Sequence, residues 1–197
     1  MIIAIIPARL GSQRIKEKNI KKFLGKPIIS YVIKALKKIK IIKKIYVSTE
    51  AAKVADIAKK YGADIISRPN KLSKNNITTF EVINNTILKL KKNKVFPSYI
   101  LIIYPTSVFI KSKHILSAFK LLKKNNKKMI FTAKKFPHPI ERSFVLKRKI
   151  SYFNKKKIKS KTQDLVDHYY DLGQFYFCKA NIFPIKKKIF DKGYPLI

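Results

Sequence analysis

The sequence predicts an α/β protein with three layers and a mostly parallel central sheet. Short, continuous apolar runs alternate along the chain with longer segments whose apolar residues recur at helical spacing. Continuous apolar runs are typical of strands that are buried on both faces of a parallel sheet. The length of 197 residues fits a single domain, which we expect to span residues 1–197. The alternation predicts βαβ units.

The first half of the chain contains three predicted strands. They cover residues 2–6, 45–48 and 63–67. Pro27 stands where the first helix is expected to begin, because proline is favoured in the first turn. Thr49 is expected to cap a second helix, which Gly62 ends.

The second half continues the alternation as far as Phe136. Thr78 and Glu81 have the spacing of a capping box and predict a helix start. Another helix is expected from Ser112, and the lysine-rich stretch 147–161 predicts an exposed β-ribbon or a mobile loop. Further strands are expected over residues 99–103, 129–133 and 174–178.

The carboxyl ends of the predicted strands are the expected place for a ligand, because parallel sheets bind ligands at that edge. These ends lie at residues 7–19, 48–50, 67–68, 104–107 and 134–142. The first of them is a dense polar loop that combines basic side chains with turn-forming residues. Its basic side chains are Arg9, Arg14, Lys16 and Lys18, and Gly11 and Ser12 allow its backbone amides to turn inward.

This loop lacks the spacing of a P-loop and that of a dinucleotide-binding glycine motif. Arginine offers a planar fork to phosphate oxygens, and lysine offers a compact charge. The residues therefore favour a phosphate-binding loop over an ordinary basic loop.

The formal net charge of +36 raises the question of nucleic-acid binding, because a strong positive field attracts phosphate backbones. Only five of the 46 basic residues are arginines, however, and the lysines are spread over the whole chain. Lys, Ile, Asn, Phe and Tyr all have AT-rich codons and are all plentiful. We interpret the charge as codon bias and expect no specific nucleic-acid partner, only loose and salt-sensitive binding to polyanions.

Cysteine content and hydropathy exclude other classes. The single cysteine, Cys178, excludes an internal disulfide framework and a multi-cysteine zinc site. No apolar run approaches the roughly 20 residues needed to span a bilayer, so we expect no membrane association. Met1 opens directly into an apolar run without a basic leader, and we expect a cytoplasmic protein.

The loop from Ala8 to Asn19 resembles the N-terminal signature of the sugar cytidylyltransferases, Ala-Arg-x-Gly-Ser-Lys-x-Ile-x-x-Lys-Asn. Further blocks match the family in the expected order, and they are Val47-Ser-Thr-Glu, Ser67-Arg-Pro with Leu72, Tyr104-Pro-Thr-Ser and Thr162-Gln-Asp-Leu. The blocks at residues 136–142 and 169–176 are most similar to the branch that activates pseudaminic acid. The resemblance covers nearly the whole chain.

The resemblance implies a nucleotide-diphospho-sugar transferase-like, Rossmann-like fold and a homodimer, with a dimerisation insertion or β-ribbon around residues 136–172. It implies a nucleotidyltransferase that joins CTP to a nonulosonic acid, giving the CMP-sugar and pyrophosphate, with Mg²⁺ as cofactor. Pseudaminic acid is the expected sugar, and N-acylneuraminate is the alternative. Phe136, Phe175 and Phe177 could supply an apolar sugar pocket, or they could be core residues.

The resemblance also implies roles for individual residues. Arg9 and Lys18 would be catalytic and, with Ser12, would hold the triphosphate. The nucleotide site would comprise Ala8, Arg9, Gly11, Ser12, Asn19, Arg68 and Thr79. The sugar side would comprise Tyr104, Gln163, Asp164, Gln174 and Tyr176.

Two departures from the family pattern affect these expectations. Gln13 replaces a lysine of the first motif, and Arg14 or Lys16 could substitute for that charge. The sequence contains no Asp-x-Asp, the motif that binds the metal near the family's C-terminal end, so its metal ligands are unassigned. We expect this chain to lack that end and to be weakly active or inactive. Three hypotheses remain at this point: an active cytidylyltransferase, an impaired relative, and a basic nucleic-acid-binding protein.

Overall fold

Seven strands form the central sheet of the computed structural model, which describes residues 1–124, 127–185 and 193–197. They are β1 (Ile2–Pro7), β4 (Ile42–Thr49), β5 (Asp64–Ser67), β6 (Tyr99–Ile103), β7 (Met129–Lys135), β10 (Tyr169–Lys179) and β11 (Gly193–Leu196). Their order across the sheet is β11-β7-β10-β6-β1-β4-β5. Strand β1 is parallel to both β4 and β6, and β4 is parallel to β5, whereas β10 is antiparallel to β6.

In the described part of the chain, four helices flank the sheet, and they are α1 (Ile28–Lys37), α2 (Ala52–Lys60), α3 (Thr79–Lys92) and α4 (Ser112–Lys124). Their apolar stripes lie on opposite faces of the sheet. Buried residues of α1, α2 and α4 share one apolar cluster, whereas those of α3 belong to the other. This arrangement confirms the predicted three-layer α/β fold. Within the described residues, no helix is both long and apolar enough to cross a membrane.

Strand β1 shows why its apolar run is continuous. Ile2, Ala4 and Ile6 pack into the cluster of α1, α2 and α4, and Ile3 and Ile5 pack into the cluster of α3. Successive side chains of a strand point to opposite faces, so a strand between two helical layers needs apolar residues at every position. Burying each isoleucine contributes about 1.5–3 kcal/mol before entropy losses.

The second helix begins later than the sequence predicts. The prediction that Thr49 caps this helix is wrong, because Thr49 still belongs to β4 and pairs with Ser67 of β5. Helix α2 starts at Ala52, and the Thr49 hydroxyl accepts a hydrogen bond from the Ala51 N–H at 3.2 Å. By contrast, Thr78 and Glu81 form the predicted capping box of α3.

The segment between Pro7 and Pro27, which includes the basic loop, carries short elements of its own. A 3-10 turn covers Lys18–Ile20, and a small ribbon pairs β2 (Lys22–Phe23) with β3 (Lys26–Pro27). Helix α1 then begins at Ile28, one residue after the proline predicted to open it. These elements bring the end of the basic loop back to the sheet.

The chain forms two compact units. The first comprises Met1–Phe131 and Gly173–Leu196, and the second comprises Thr132–Leu172 with Ile197. In the second unit, β8 (Phe144–Leu146) pairs with β9 (Ile150–Tyr152) in an exposed antiparallel ribbon, one of the two structures expected for the lysine-rich stretch. The range of the second unit, Thr132–Leu172, is close to that of the predicted insertion at residues 136–172. The assignment of one domain to residues 1–197 stays a prediction.

Candidate active site

A cleft of about 350 Å³ opens in the first unit where β1, β5 and β6 end. Its walls come from the basic loop after β1, the segment after β5, the start of α3 and the turn after β6. Eight predicted site residues line this cleft: Arg9, Gly11, Ser12, Lys18, Asn19, Arg68, Thr79 and Tyr104. The tertiary fold thus brings most of the predicted nucleotide residues together.

Charge is the main chemical property of the cleft. Its basic lining residues are Arg9, Arg14, Lys18, Arg68 and Lys74, and no Asp or Glu occurs among the described residues that line it. Arg14 therefore occupies the cleft beside the position where Gln13 replaces the family's lysine, whereas Lys16 is not among the lining residues. A cleft of this charge attracts a polyanion such as a triphosphate.

Hydrogen bonds to the backbone hold the basic loop in shape. The Ala8 N–H donates to the Ser48 carbonyl at 2.9 Å, which continues the pairing of β1 with β4 and keeps the Ala8 methyl fully buried. Farther along, the Asn19 side-chain amide donates to the Arg9 carbonyl at 2.8 Å. The chain turns at Glu17, whose backbone has a positive φ of 49°. The Glu17 carboxylate pairs with Nζ of Lys53 at 2.7 Å. The loop therefore folds back so that Arg9 and Lys18 both line the cleft.

Arg68 is a buried cation whose partner the sequence analysis did not identify. Its Nε and Nη2 atoms donate to Oε2 of Glu50 at 3.1 and 2.6 Å, and only 5% of the residue is exposed. The Leu10 N–H donates to Oε1 of the same carboxylate at 2.8 Å. Burial raises the pKa of Glu50, but the hydrogen bonds from Arg68, Leu10 and Ser73 outweigh it and bring the pKa below its ordinary value.

Tyr104 connects the nucleotide and sugar sides of the predicted site. Its hydroxyl lies 2.9 Å from the Thr79 hydroxyl, and its N–H donates to the Gln174 carbonyl at 3.1 Å. Tyr176 is buried, with its ring centroid 6.2 Å from that of Tyr104 and 5.4 Å from that of Phe80. Neither Gln174 nor Tyr176 is among the lining residues of the cleft, so their sugar-binding roles stay predictions.

The other two predicted sugar residues lie in the second unit. Gln163 and Asp164 belong to a 3-10 turn, and Gln163 lines a pocket of about 270 Å³ together with His138 and His168. The neighbouring Glu141 is buried, and its Oε2 atom has no hydrogen-bond partner among the described residues. The pocket is lined by both polar and apolar side chains, as small-molecule sites commonly are.

The three phenylalanines proposed for an apolar sugar pocket lie in different environments. Phe175 and Phe177 are fully buried in the core cluster of α1, α2 and α4, and Phe177 stacks on Phe119 at 5.4 Å. They are core residues, which was the alternative interpretation. Phe136 is half-buried and lines the pocket of the second unit. The centroid of its ring lies 4.8 Å from that of the Tyr170 ring.

The described side chains do not form a Mg²⁺ site. Magnesium requires oxygen ligands, chiefly one or two carboxylates beside phosphate oxygens and water. Among the described residues, no group of three His, Cys, Asp or Glu is placed to hold a metal, and the cleft contains no carboxylate. Glu17 and Glu81 are next in sequence to residues that line the cleft: Glu17 pairs with Lys53, and Glu81 accepts hydrogen bonds from Thr78. Glu50 pairs with Arg68. The Mg²⁺ requirement therefore stays a prediction, and its protein ligands stay unassigned.

Comparison with known proteins assigns the family. A family model described as cytidylyltransferase matches residues 3–194, nearly the whole chain. The chain belongs to the cytidylyltransferase family. This match confirms the resemblance found in the sequence and makes the chain a member of a nucleotidyltransferase family.

This cytidylyltransferase is similar to several curated relatives. It is 34% identical over 178 residues to a pseudaminic acid cytidylyltransferase of Campylobacter jejuni, an alignment that covers 89% of this chain and 77% of the relative. It is 36% identical over 120 residues to an N-acylneuraminate cytidylyltransferase of Escherichia coli, covering 61% of this chain and 28% of the relative.

Solved structures share the fold of this cytidylyltransferase. CMP:2-keto-3-deoxy-manno-octonic acid synthetase complexed with CTP superposes with a TM-score of 0.69 at 16% identity, covering 92% of this chain and 75% of that one. A 4-diphosphocytidyl-2C-methyl-D-erythritol synthase of Anaerococcus prevotii superposes with a TM-score of 0.55 at 18% identity, covering 92% and 72%. The nucleotidyltransferase-like fold class is thereby confirmed.

Proposed function

We propose that this cytidylyltransferase joins CTP to pseudaminic acid, giving the CMP-sugar and pyrophosphate. The cleft of the first unit carries the proposal, because five basic side chains line a cavity of about 350 Å³ and no acid is among its described lining residues. The similarity to pseudaminic acid cytidylyltransferase over 89% of the chain supports the choice of sugar. N-acylneuraminate is the alternative sugar, supported by a shorter alignment.

In this reaction the anomeric hydroxyl of the sugar attacks the α-phosphorus of CTP, and the bond from that phosphorus to the bridging oxygen breaks. Positioning and neutralisation of charge supply most of the catalysis in such transfers. Arg9 and Lys18 would bind the β- and γ-phosphates and stabilise the charge that grows on the leaving pyrophosphate. Arg14, which also lines the cleft, would supply the charge that Gln13 lacks.

We also propose that the enzyme acts as a homodimer. The ribbon of β8 and β9 exposes several large apolar side chains, each more than half accessible. They are Phe144, Val145, Leu146 and Ile150, and Phe153, which directly follows β9, is exposed as well. Contiguous exposed apolar patches mark interaction surfaces, and a second copy of this chain is the partner that we propose for this one. Light scattering should give twice the chain mass of 22.9 kDa for the wild type and one chain mass for Leu146→Glu.

The first experiment compares ligands by thermal shift in moderate salt with Mg²⁺ present. Stabilisation by CTP, and not by ATP, GTP or duplex DNA, is the expected result. Equal stabilisation by all three nucleotides and DNA would instead indicate a general polyanion binder. Omitting Mg²⁺ and adding EDTA in a parallel series tests the predicted metal requirement.

The second experiment measures pyrophosphate release with each sugar. We expect a higher kcat/KM for pseudaminic acid than for N-acetylneuraminic acid. A site that leaves polar groups unpaired discriminates strongly against the wrong substrate, whereas one methyl group changes the free energy by only about 1–3 kcal/mol. An equal or higher kcat/KM for N-acetylneuraminic acid would transfer the assignment to the alternative sugar.

A further inference from the structure

Hydrogen bonds link two cations of the cleft, Arg9 and Arg68, in a ring that the peptide bond between Arg9 and Leu10 closes. Starting from the basic loop, the Leu10 N–H donates to Glu50, and Glu50 accepts two hydrogen bonds from Arg68. The Arg68 Nε also donates to the Ser73 hydroxyl oxygen at 3.1 Å. The Ser73 carbonyl then accepts from Nη1 of Arg9 at 3.2 Å, and Arg9 precedes Leu10 in the chain.

Glu50 is the only carboxylate in this ring, and it holds two separate segments of the cleft wall. One oxygen holds the backbone of the basic loop, and the other holds the guanidinium that follows β5. Its side chain is 13% exposed and that of Arg68 is 3% exposed, so water can replace little of either contact. Removing one partner of a buried ion pair leaves an uncompensated charge and displaces its neighbours.

The ring determines where the Arg9 side chain points. Its anchor is the Ser73 carbonyl, and Ser73 is in turn fixed by Arg68, whose orientation depends on Glu50. A long arginine side chain loses less entropy on binding an anion when it is already oriented. The same logic applies to outer-shell groups at metal sites, whose loss typically weakens binding by about 10- to 100-fold.

We infer that Glu50 is a positioning residue for anion binding: it orients Arg9 and the basic loop through Arg68 and Ser73 and thereby increases the affinity for the triphosphate. The inference deepens the proposed function and rests on it for the identity of the nucleotide. Because Glu50 is an acid, its positioning role and the simple effect of its charge predict opposite changes in anion binding. An acid that acted only through its charge would weaken the binding of a polyanion.

The test measures binding of inorganic tripolyphosphate by calorimetry in about 0.15 M salt, where exposed charges are largely screened. Glu50→Gln keeps the size of the side chain but replaces an oxygen acceptor with an NH₂ donor, so it opens the ring. Asp64→Asn is the matched control, because Asp64 pairs with Lys44 on an exposed surface and both side chains are more than half accessible. Each variant raises the net charge by one.

We expect Glu50→Gln to weaken tripolyphosphate binding by about tenfold, as for lost outer-shell partners, and Asp64→Asn to leave it within twofold of the wild type. With CTP and sugar, the KM for CTP should rise in Glu50→Gln while the KM for the sugar stays unchanged. A role confined to stability would lower the melting temperature and leave both affinities of the folded protein intact, which would overturn the inference.

Ser73→Ala provides a milder break in the ring if Glu50→Gln folds poorly. It removes one hydroxyl partner of Arg68 and should weaken tripolyphosphate binding by about threefold, the effect of one hydrogen bond. Unchanged binding in both folded variants, or a wild type that does not bind tripolyphosphate, would refute the role of the ring. If the wild type binds tripolyphosphate but shows no selectivity for CTP, the proposed function is refuted. The inference about Glu50 and the ring is not affected by that result.

Discussion

Replacing Arg9 with alanine tests the cleft most directly. Arg9 lines the cleft, and the one hydrogen bond that its guanidinium makes to the described protein goes from Nη1 to the Ser73 carbonyl at 3.2 Å. The substitution should therefore cost little stability of the fold and much of the binding free energy of the ligand. We expect Arg9→Ala to bind CTP much more weakly while its free energy of unfolding falls by only about 1 kcal/mol, the value of one hydrogen bond.

The expected loss of binding free energy in Arg9→Ala follows from the charge of Arg9 and from the cost of its desolvation. Two unit charges 4 Å apart interact with about 4 kcal/mol at the effective dielectric constant of a protein surface. Part of that energy is offset because Arg9 loses hydration on binding, and charge-assisted hydrogen bonds contribute about 1.5–3 kcal/mol net. We therefore expect a loss of about 2–3 kcal/mol in binding, or roughly 30- to 150-fold in Kd. In pyrophosphate release the loss should reach about 100- to 1000-fold, as when an oxyanion-hole donor is removed.

Calorimetry with CTP, and pyrophosphate release where turnover is measurable, provide the assays. Lys16→Ala is the matched control, since Lys16 lies in the same loop and is exposed but is not among the lining residues of the cleft. Both variants lose one positive charge, so only Arg9→Ala should show the large effect. Equal losses in the two variants would mean that the loop acts through its total charge, and activity of Arg9→Ala within twofold of the wild type would refute its role.

Three further predictions concern stability. Thr78→Ala removes the hydroxyl that caps α3 and should lower the free energy of unfolding by about 1 kcal/mol in urea denaturation, with Thr78→Ser close to the wild type. Phe177→Ala should cost about 3–5 kcal/mol in the same assay, because it leaves a cavity beside Phe119 in the core, and a loss below about 1 kcal/mol would contradict the core assignment. The pKa of Glu50 is lowered in the folded state, so its stabilisation is complete above its ordinary pKa of 4.5 and is lost as the pH falls through the folded value. The difference in urea midpoint between wild type and Glu50→Gln should therefore shrink as the pH falls below about 4.5, and a difference that stays constant with pH would contradict this.

The basic loop was predictable as part of the candidate site because its residues are neighbours in the sequence. Arg9, Arg14 and Lys18 follow one strand, and the end of a parallel strand places them at the ligand-binding edge whatever the rest of the fold does. The partner of Arg68 was not predictable in this way. Glu50 lies 18 residues earlier in a chain with 46 basic residues, so many pairings were open to it.

The sequence by itself determined the layers of this protein. A strand that must be apolar at every position, such as β1, can only lie between two helical layers, and the capping pair at Thr78 and Glu81 sets the start of α3 through local hydrogen bonds. These features depend on contacts within a few residues or on burial alone.

Tertiary structure alone decided the surroundings of several aromatic and polar residues. Phe175 and Phe177 became core, Tyr176 came to lie against the ring of Tyr104, and Thr49 stayed in its strand instead of capping a helix. Each outcome depends on which elements pack against that position, and these elements are distant in the sequence. Local patterns carry no information about such partners, because the contacts form only when the sheet and its helices are assembled.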